Sequence, residues 1–247
     1  MKRYYGWKPQ LPDYRDYDFK LDERIVLPTS VDLRSKMPPV YDQGQLGSCT
    51  ANAIAGALEY ALMKEAMTDF VPSRLFIYYN ERVIEKTVNT DSGANIRDGI
   101  KSVNKQGVCP ETEWPYIIGE FNKKPLSKCY KDAKKDLVKT YAAVAQDLTT
   151  MKSCLAMGYP FVFGFSVYSS FESDTVAKTG ILNLPVRGES LMGGHAVVGV
   201  GYDDGLQRFI VRNSWGANWG QEGYFTIPYD YLTNIKLASD FWQIDLI

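Results

Sequence analysis

From Cys49 onward, apolar residues fall at helical spacing: Ala51, Ile54, Ala55, Leu58, Ala61 and Leu62. This i, i+3, i+4, i+7 pattern predicts a helix with Cys49 in its first turn. The glycine-punctuated loop Gln43-Gly44-Gln45-Leu46-Gly47-Ser48 leads into it. A second helix is predicted from Ser73, an N-cap after Pro72, through Leu75, Phe76, Tyr79 and Val83. A third carries Ile96, Ile100 and Val103 and stops at Gly107, and a short one spans Met151 to Met157. The period then drops to two. Phe161, Phe163, Phe165 and Val167 alternate with Val162, Gly164 and Ser166, and further short β-branched or aromatic runs follow at Ala196 to Gly201, Phe209 to Arg212 and Gly223 to Ile227. Turns are expected at Asp203-Asp204-Gly205 and Trp215-Gly216. The first half therefore reads as mainly helix and the second as mainly strand, an α+β chain.

Residues 1–27 fit neither period. Tyr4, Tyr5, Trp7, Tyr14, Tyr17 and Phe19 stand among charges, and Pro9 and Pro12 break any regular element. Exposed aromatic area costs about 25 cal/mol per Å², so this extended segment is expected to dock on the folded body. With 247 residues, 45% of them apolar, the chain can build a sizeable core. Lysine plus arginine (28) balance aspartate plus glutamate (29), leaving a net charge of -1 and no field to attract nucleic acid or an anionic membrane. There is no apolar run of signal-peptide or membrane-spanning length, so the chain as given is expected to be leaderless, soluble and cytoplasmic.

The scarcest residues narrow the chemistry. His195 is the single histidine, and the four cysteines, Cys49, Cys109, Cys129 and Cys154, show no CxxC spacing. A zinc site would have to gather ligands from the whole chain, so no metal or cofactor is expected. Any imidazole acid-base chemistry falls to His195. Cys49 sits at a helix start, where unpaired N–H groups and the macrodipole favour a thiolate; a small buried hydrophobe explains such a cysteine equally well. Gln43 offers a neutral amide donor that, with the Cys49 N–H, could hold an oxyanion, although a loop glutamine is usually only solvated. His195 follows Gly193-Gly194 at the mouth of a buried strand, and Asn213 ends the next one. An asparagine there could fix the tautomer of His195, with Trp215 covering the bond.

Three ordered blocks resemble the active-site segments of the papain-like cysteine peptidases: Gln43 through Cys49, Gly194-His195-Ala196, and Asn213-Ser214-Trp215-Gly216 with Trp219-Gly220 and Gly223-Tyr224. Leu27 through Arg34 is similar to the start of the mature domain, so the resemblance spans about residues 27 to 247. His195 follows Cys49 by 146 residues, within the family's range of roughly 130 to 150, and Asn213 by 164, somewhat beyond it. The chain also departs from the pattern. Thr50 replaces the aromatic residue after the nucleophile, and Leu46 and Asp91 stand where the family has a disulfide. Cys109 with Cys129 is the one pairing left to consider, and such sparse bridging argues against a disulfide-dependent secreted domain. With a single histidine the chain lacks the paired-histidine occluding loop of dipeptide-removing members, and it lacks a long helical propeptide. It looks like a compact bacterial-type branch.

The resemblance implies a two-lobe papain-like α+β fold with an N-terminal extension (1–27), a mainly helical lobe (28–140) carrying Cys49, and a mainly β lobe (141–247) carrying His195 and Asn213. It implies a thiol endopeptidase in which Cys49, His195, Asn213 and Gln43 are catalytic. Gly93 and Ala94 resemble the loop that pairs with substrate backbone. Gly164 and Ala238 or Ser239 would line the second specificity pocket, roomy and apolar, and Trp215 would flank the site. The partners implied are a peptide or protein substrate, with no nucleic acid or membrane, and a monomer. Residues 1–27 would either shield the cleft or brace the back of a lobe. An acyltransferase or transglutaminase-like enzyme with the same triad, or a non-catalytic binding protein on this fold, are the alternatives.

Overall fold

The computed structural model describes residues 4–22, 24–135 and 138–246. In chain order its elements are β1 (Ser30–Asp32), α1 (Cys49–Lys64), α2 (Arg74–Glu85), α3 (Ile96–Gln106), α4 (Ser127–Ala133), β2 (Thr140–Ala143), α5 (Leu148–Ala156), β3 (Phe161–Tyr168), α6 (Asp174–Thr179), β4 (Leu191–Asp203), β5 (Arg208–Arg212), β6 (Tyr224–Pro228), α7 (Tyr229–Thr233) and β7 (Ala238–Asp245). All strand pairs are antiparallel, in the order β2-β7-β3-β4-β5-β6, with β1 on β4. β1 thus joins the sheet built by the second half of the chain, although it lies in the stretch expected to be mainly helical.

α1 is buried from Cys49 through Leu62 on every face, as befits a helix enclosed by protein. The Ser73 cap forms as expected, its hydroxyl accepting from the Phe76 N–H at 3.2 Å. α3 stops at Gly107 in positive φ. α5 begins three residues before the expected Met151, because the Asp147 carboxylate accepts from the Thr150 N–H at 2.8 Å and caps it there. β3 separates its two faces by alternation. Phe163 stacks on Phe241 with centroids 5.3 Å apart, and Phe165 meets Phe171 edge-on, while Gly164 turns toward the cleft in front of Trp7.

The N-terminal segment docks only in part. Trp7 is 8% exposed and Phe19 is half-buried, yet Tyr14 and Tyr17 are 98% and 79% exposed. The expectation that all six aromatics pack on the body is corrected for those two. Backbone pairing holds this stretch instead, with the Phe19 N–H donating to Ala143 O and the Ala143 N–H to Tyr17 O. Among the described residues no helix is long and apolar enough to cross a membrane.

Candidate active site

Ser48 occupies the N-cap position of α1 without capping it. Its hydroxyl turns to the Tyr116 hydroxyl at 2.5 Å and accepts from Asn52 Nδ2 at 3.0 Å. The first-turn N–H groups are therefore left for the Cys49 side chain, which is wholly buried. Burial pushes the Cys49 thiol up to about 11, while the N–H groups of Ala196, Gly6 and Thr50 pull the other way. The Ala196 contact places the thiol against the strand that carries His195.

His195 is paired with Phe165 across β3 and β4. Its Nε2 lies 2.8 Å from Asn213 Oδ1, an oxygen that also accepts from the Ser214 N–H at 2.8 Å. Because Oδ1 is the acceptor in both, Nε2 carries the proton in that bond. Trp215 stacks on the imidazole at 5.1 Å and 28°, and Phe165 and Phe171 close its other sides. The site is dry.

Gln43 is oriented by Ser214, whose hydroxyl donates to Oε1 at 2.7 Å and whose carbonyl accepts from the Gln43 N–H at 2.9 Å. Nε2 is thereby turned to donate to Leu46 O at 2.9 Å and, across the cleft, to the backbone carbonyl of Tyr4 at 3.1 Å. Tyr5 lies edge-on to His195 at 5.9 Å, and its hydroxyl donates to Glu172 at 2.5 Å. Cys49, His195, Asn213, Gln43 and Trp215 are thus brought together, with residues 4–10 lying over them.

This strap is seated by backbone bonds and by the absence of side chains. Ala94 N–H donates to Gly6 O at 2.7 Å, Lys8 N–H to Ala94 O at 3.1 Å, and Trp7 N–H to Gly194 O at 3.0 Å. A Cβ on Gly6 would fall 1.7 Å from Gly47 O, and one on Gly93 2.0 Å from Gly6 O. The Trp7 ring lies against Gly164, where a Cβ would come within 1.9 Å of it. The space bounded by Gly164, Ala238 and Ser239 is therefore filled, leaving about 340 Å³ beside Trp7 and Pro9. The Trp7 indole is held there by Asp240, whose Oδ2 accepts from Trp7 Nε1 at 2.9 Å and from the Gln10 N–H at 3.2 Å. The contact between Trp7 and Asp240 is one that the pattern around Ala238 did not suggest.

Asp91 replaces the missing bridge with hydrogen bonds. Both its carboxylate oxygens accept from the Gly47 N–H at 3.0 Å, and it accepts from the Tyr78 hydroxyl, which itself accepts from the Gly93 N–H at 3.2 Å. The Gln43–Ser48 loop is thereby tied to the Gly93–Ala94 loop without sulfur. Asp91→Ala leaves buried donors unmatched, a loss of about 1–3 kcal/mol per group. Its thermal midpoint should fall by several degrees and its activity with it; a variant with unchanged melting would refute the brace. Arg74 is a second organiser that periodicity cannot reveal. It forks onto Glu111 at 2.7 and 2.8 Å, donates to Asp42 O and Asn52 Oδ1 at 3.1 Å each, and stacks on Tyr116. Thr50 donates to the fully buried Glu81 at 2.7 Å, so the position expected to hold an aromatic ring makes a polar contact instead.

Cys109 and Cys129 are free thiols, not a disulfide. With Glu113 they bring donor atoms within 4.8 Å of one another. That is one donor short of the four a structural zinc takes, and burial, then the neighbouring Cys129, holds the Cys109 thiol protonated.

Comparison with known proteins agrees with this geometry. Residues 27–242 match the family described as papain family cysteine protease. The structure is similar to that of xylellain, a cysteine protease from Xylella fastidiosa, with a TM-score of 0.93 and 47% identity, covering 100% of this chain and 99% of that one. An uncharacterised peptidase C1-like protein of Acanthamoeba polyphaga mimivirus is 44% identical over 99% of this chain and 87% of its own length. Mouse pro-cathepsin H is 28% identical over 81% of this chain, which spans 60% of that protein. The chain belongs to the papain family of cysteine proteases.

Proposed function

We propose that Cys49, His195, Asn213 and Gln43 hydrolyse peptide bonds by acyl transfer, and that residues 4–10 hold the site latent. One observation carries this reading: the Gln43 amide already grips a peptide carbonyl, that of Tyr4, two residues from the Gly6 N–H that meets the Cys49 thiol. In a substrate that carbonyl carbon is attacked by the Cys49 thiolate. Gln43 Nε2 and the Cys49 N–H hold the oxyanion. His195, its Nε2–H engaged by Asn213, passes the Nδ1 proton to the leaving amine, and a thioester remains on Cys49. Water then attacks the thioester, His195 takes its proton, and the acid leaves with the thiolate restored. The helical lobe (28–140) and the β lobe (141–247) supply the two walls, and one chain supplies every group, so no second copy is needed.

The strap survives in the site because it runs the wrong way. A substrate with its carbonyl at Gln43 sends the preceding residue, on the N-terminal side, into the pocket of Gly164, Ala238 and Ser239. Here that pocket holds Trp7, three residues on the C-terminal side of Tyr4. The carbonyl is held but the leaving side is misplaced, and orientation of this kind decides several powers of ten in rate. Because the strap enters the groove and continues out of it toward Asp13, a mid-chain substrate fits, and an endopeptidase is the reading favoured.

The test is labelling with an epoxide or vinyl sulfone after the strap is displaced, with the adduct mapped by mass spectrometry. Modification of Cys49 alone, together with release of a fluorogenic peptide amide in the absence of added amine, is expected. Modification confined to Cys109, Cys129 or Cys154 would sink the assignment, and product formation only with an added amine would indicate acyl transfer to amines.

A further inference from the structure

The geometry points to Glu81 as a positioning residue for the nucleophile: an uncharged carboxyl that, through Thr50, holds the first turn of α1 behind Cys49. This rests on Cys49 being the nucleophile, as proposed above. Three helices meet at this side chain. Glu81 lies near the end of α2, wholly buried, and its Oε1 accepts from the Thr50 hydroxyl of α1 at 2.7 Å. α3 makes room for the other oxygen by lacking a side chain there: a Cβ on Gly99 would fall 2.5 Å from Glu81 Oε2 and 2.4 Å from Ile54 Cδ1. Ser48 does not cap α1, so the first turn needs another anchor, and the bond to Glu81 supplies one. The N–H of the same Thr50 is among those that draw the Cys49 thiol toward the thiolate. One residue therefore ties the carboxyl on one side to the sulfur on the other.

The surroundings keep that carboxyl neutral. Among the described residues Oε2 has no hydrogen-bond partner and no ion pair reaches Glu81. A buried carboxylate with a single donor is costly, and the protonated acid avoids most of that cost. Burial first, and then the anions Glu85 on α2 and Asp98 on α3, hold the Glu81 carboxyl well above the usual carboxylate range, against the pull of the Thr50 hydroxyl and of Arg82. The Arg82 guanidinium is itself turned to the carbonyls of Tyr78, Val88, Thr90 and Phe121. Lys8 of the strap bonds Glu85 at 3.2 Å, so opening the strap removes a cation from this neighbourhood. Tyr78 on α2 and Cys49 on α1 are the titratable groups that feel Glu81 in turn. A negative charge at Glu81 acts on Cys49 against the thiolate. The bond to Thr50 thus supports the nucleophile without opposing it only while the acid keeps its proton, and loss of that proton to solvent at high pH turns support into opposition.

The experiment uses the full chain carrying Gly6→Ala, which cannot seat the strap, with Glu81 replaced by alanine or glutamine. Glu81→Ala should lower kcat about tenfold with KM unmoved, because the group acts on the sulfur and touches no substrate. Glu81→Gln keeps the acceptor and carries no charge at any pH. It should restore kcat at pH 6 and exceed the parent about threefold or more at pH 9, where the parent carboxyl ionises. Alkylation of Cys49 by iodoacetamide, mapped by mass spectrometry, should give the same glutamine-to-glutamate ratios without turnover. If no variant hydrolyses peptide while alkylation follows this pattern, the peptidase reading alone falls. Equal glutamine and glutamate profiles from pH 5 to pH 9 overturn the inference, and so does a glutamine variant as poor as alanine at pH 6, which would make Glu81 a working carboxylate. Thr50→Val deletes the donor at similar volume and serves where the alanine cavity prevents folding. It should reproduce the loss in kcat, and an unchanged kcat also overturns the inference. The infrared spectrum at pH 7 should show a protonated-carboxyl band that Glu81→Gln lacks; a parent without that band carries a charged Glu81 and refutes the proposal.

Discussion

Cys49→Ala is expected to lower peptide hydrolysis by about 10⁴-fold or more, and His195→Ala to match it, because the two act as a unit and neither step of acyl transfer survives without both. Both variants should fold. Cys49 opens the buried helix α1 with a small side chain, so its truncation removes one sulfur atom from a well-packed wall. Asn213→Ala should be milder, about 10²-fold, since it releases the ring of His195 without deleting a reacting group. The measurement is kcat/KM on a fluorogenic peptide amide with melting curves alongside. Normal turnover by the cysteine or histidine variant would dismiss the mechanism, and an Asn213 variant as inert as Cys49→Ala would require Asn213 to touch the reacting atoms.

Gly6→Ala is expected to raise kcat/KM by about 10- to 100-fold, the factor by which a closed population of 90 to 99% masks the competent form. The added methyl would fall 1.7 Å from Gly47 O, which the loop, pinned by Asp91, cannot yield. An unchanged kcat/KM with a lower melting temperature would show that the strap merely braces the fold. Acidity should favour closure. In the closed form burial holds the Cys49 thiol at about 11 and Asp240 at about 6, both above their ordinary values. Two hydrogen bonds from the strap and the field of Arg97 oppose the rise at Asp240 without cancelling it. A group whose pKa is raised on closing supports closure fully below its open-state pKa and withdraws that support as pH rises through the closed-state one. For Asp240 the window runs from about 4 to about 6, and for Cys49 it closes at about 11. The Gly6→Ala advantage should therefore be larger at pH 4 than at pH 8, and epoxide labelling of Cys49 in the intact chain should keep rising into alkaline pH. The opposite pH trend would refute this linkage.

Elements with an uninterrupted period were legible in the residues themselves. α1 with Cys49 at its start, the Ser73 cap, β3 and the buried part of β4 all follow from spacing and capping chemistry. β7 was not, because the bulge at Asp240 breaks the alternation of Ala238-Ser239-Asp240-Phe241-Trp242. β1 and β2 have three and four residues, too few for a period to emerge, and exist because β4 and β7 offer them an edge. Short α4, α6 and α7 are likewise fixed by their ends and neighbours. In the site, the motif residues could be named by resemblance. The Gly47–Asp91 brace, the four partners of Arg74 and the docking of Trp7 on Asp240 join residues 22 to 233 positions apart, and no local pattern encodes such pairs.

The exposed run on which Tyr14 and Tyr17 stand links the strap to β1, and β1 is anchored on β4, the strand of His195. While that link is whole, the strap is its own ligand at an effective concentration in the millimolar range, and it rebinds as often as it leaves. A single nick anywhere between Leu11 and Val26, both themselves exposed, would cut the strap loose as a short peptide that diffuses away. In a dilute solution the loss is one-way, and a freed molecule acting as the endopeptidase proposed above would nick the next. Activity would then grow with a lag that shortens as total protein rises, so that the same sequence is quiet when scarce and self-igniting when crowded.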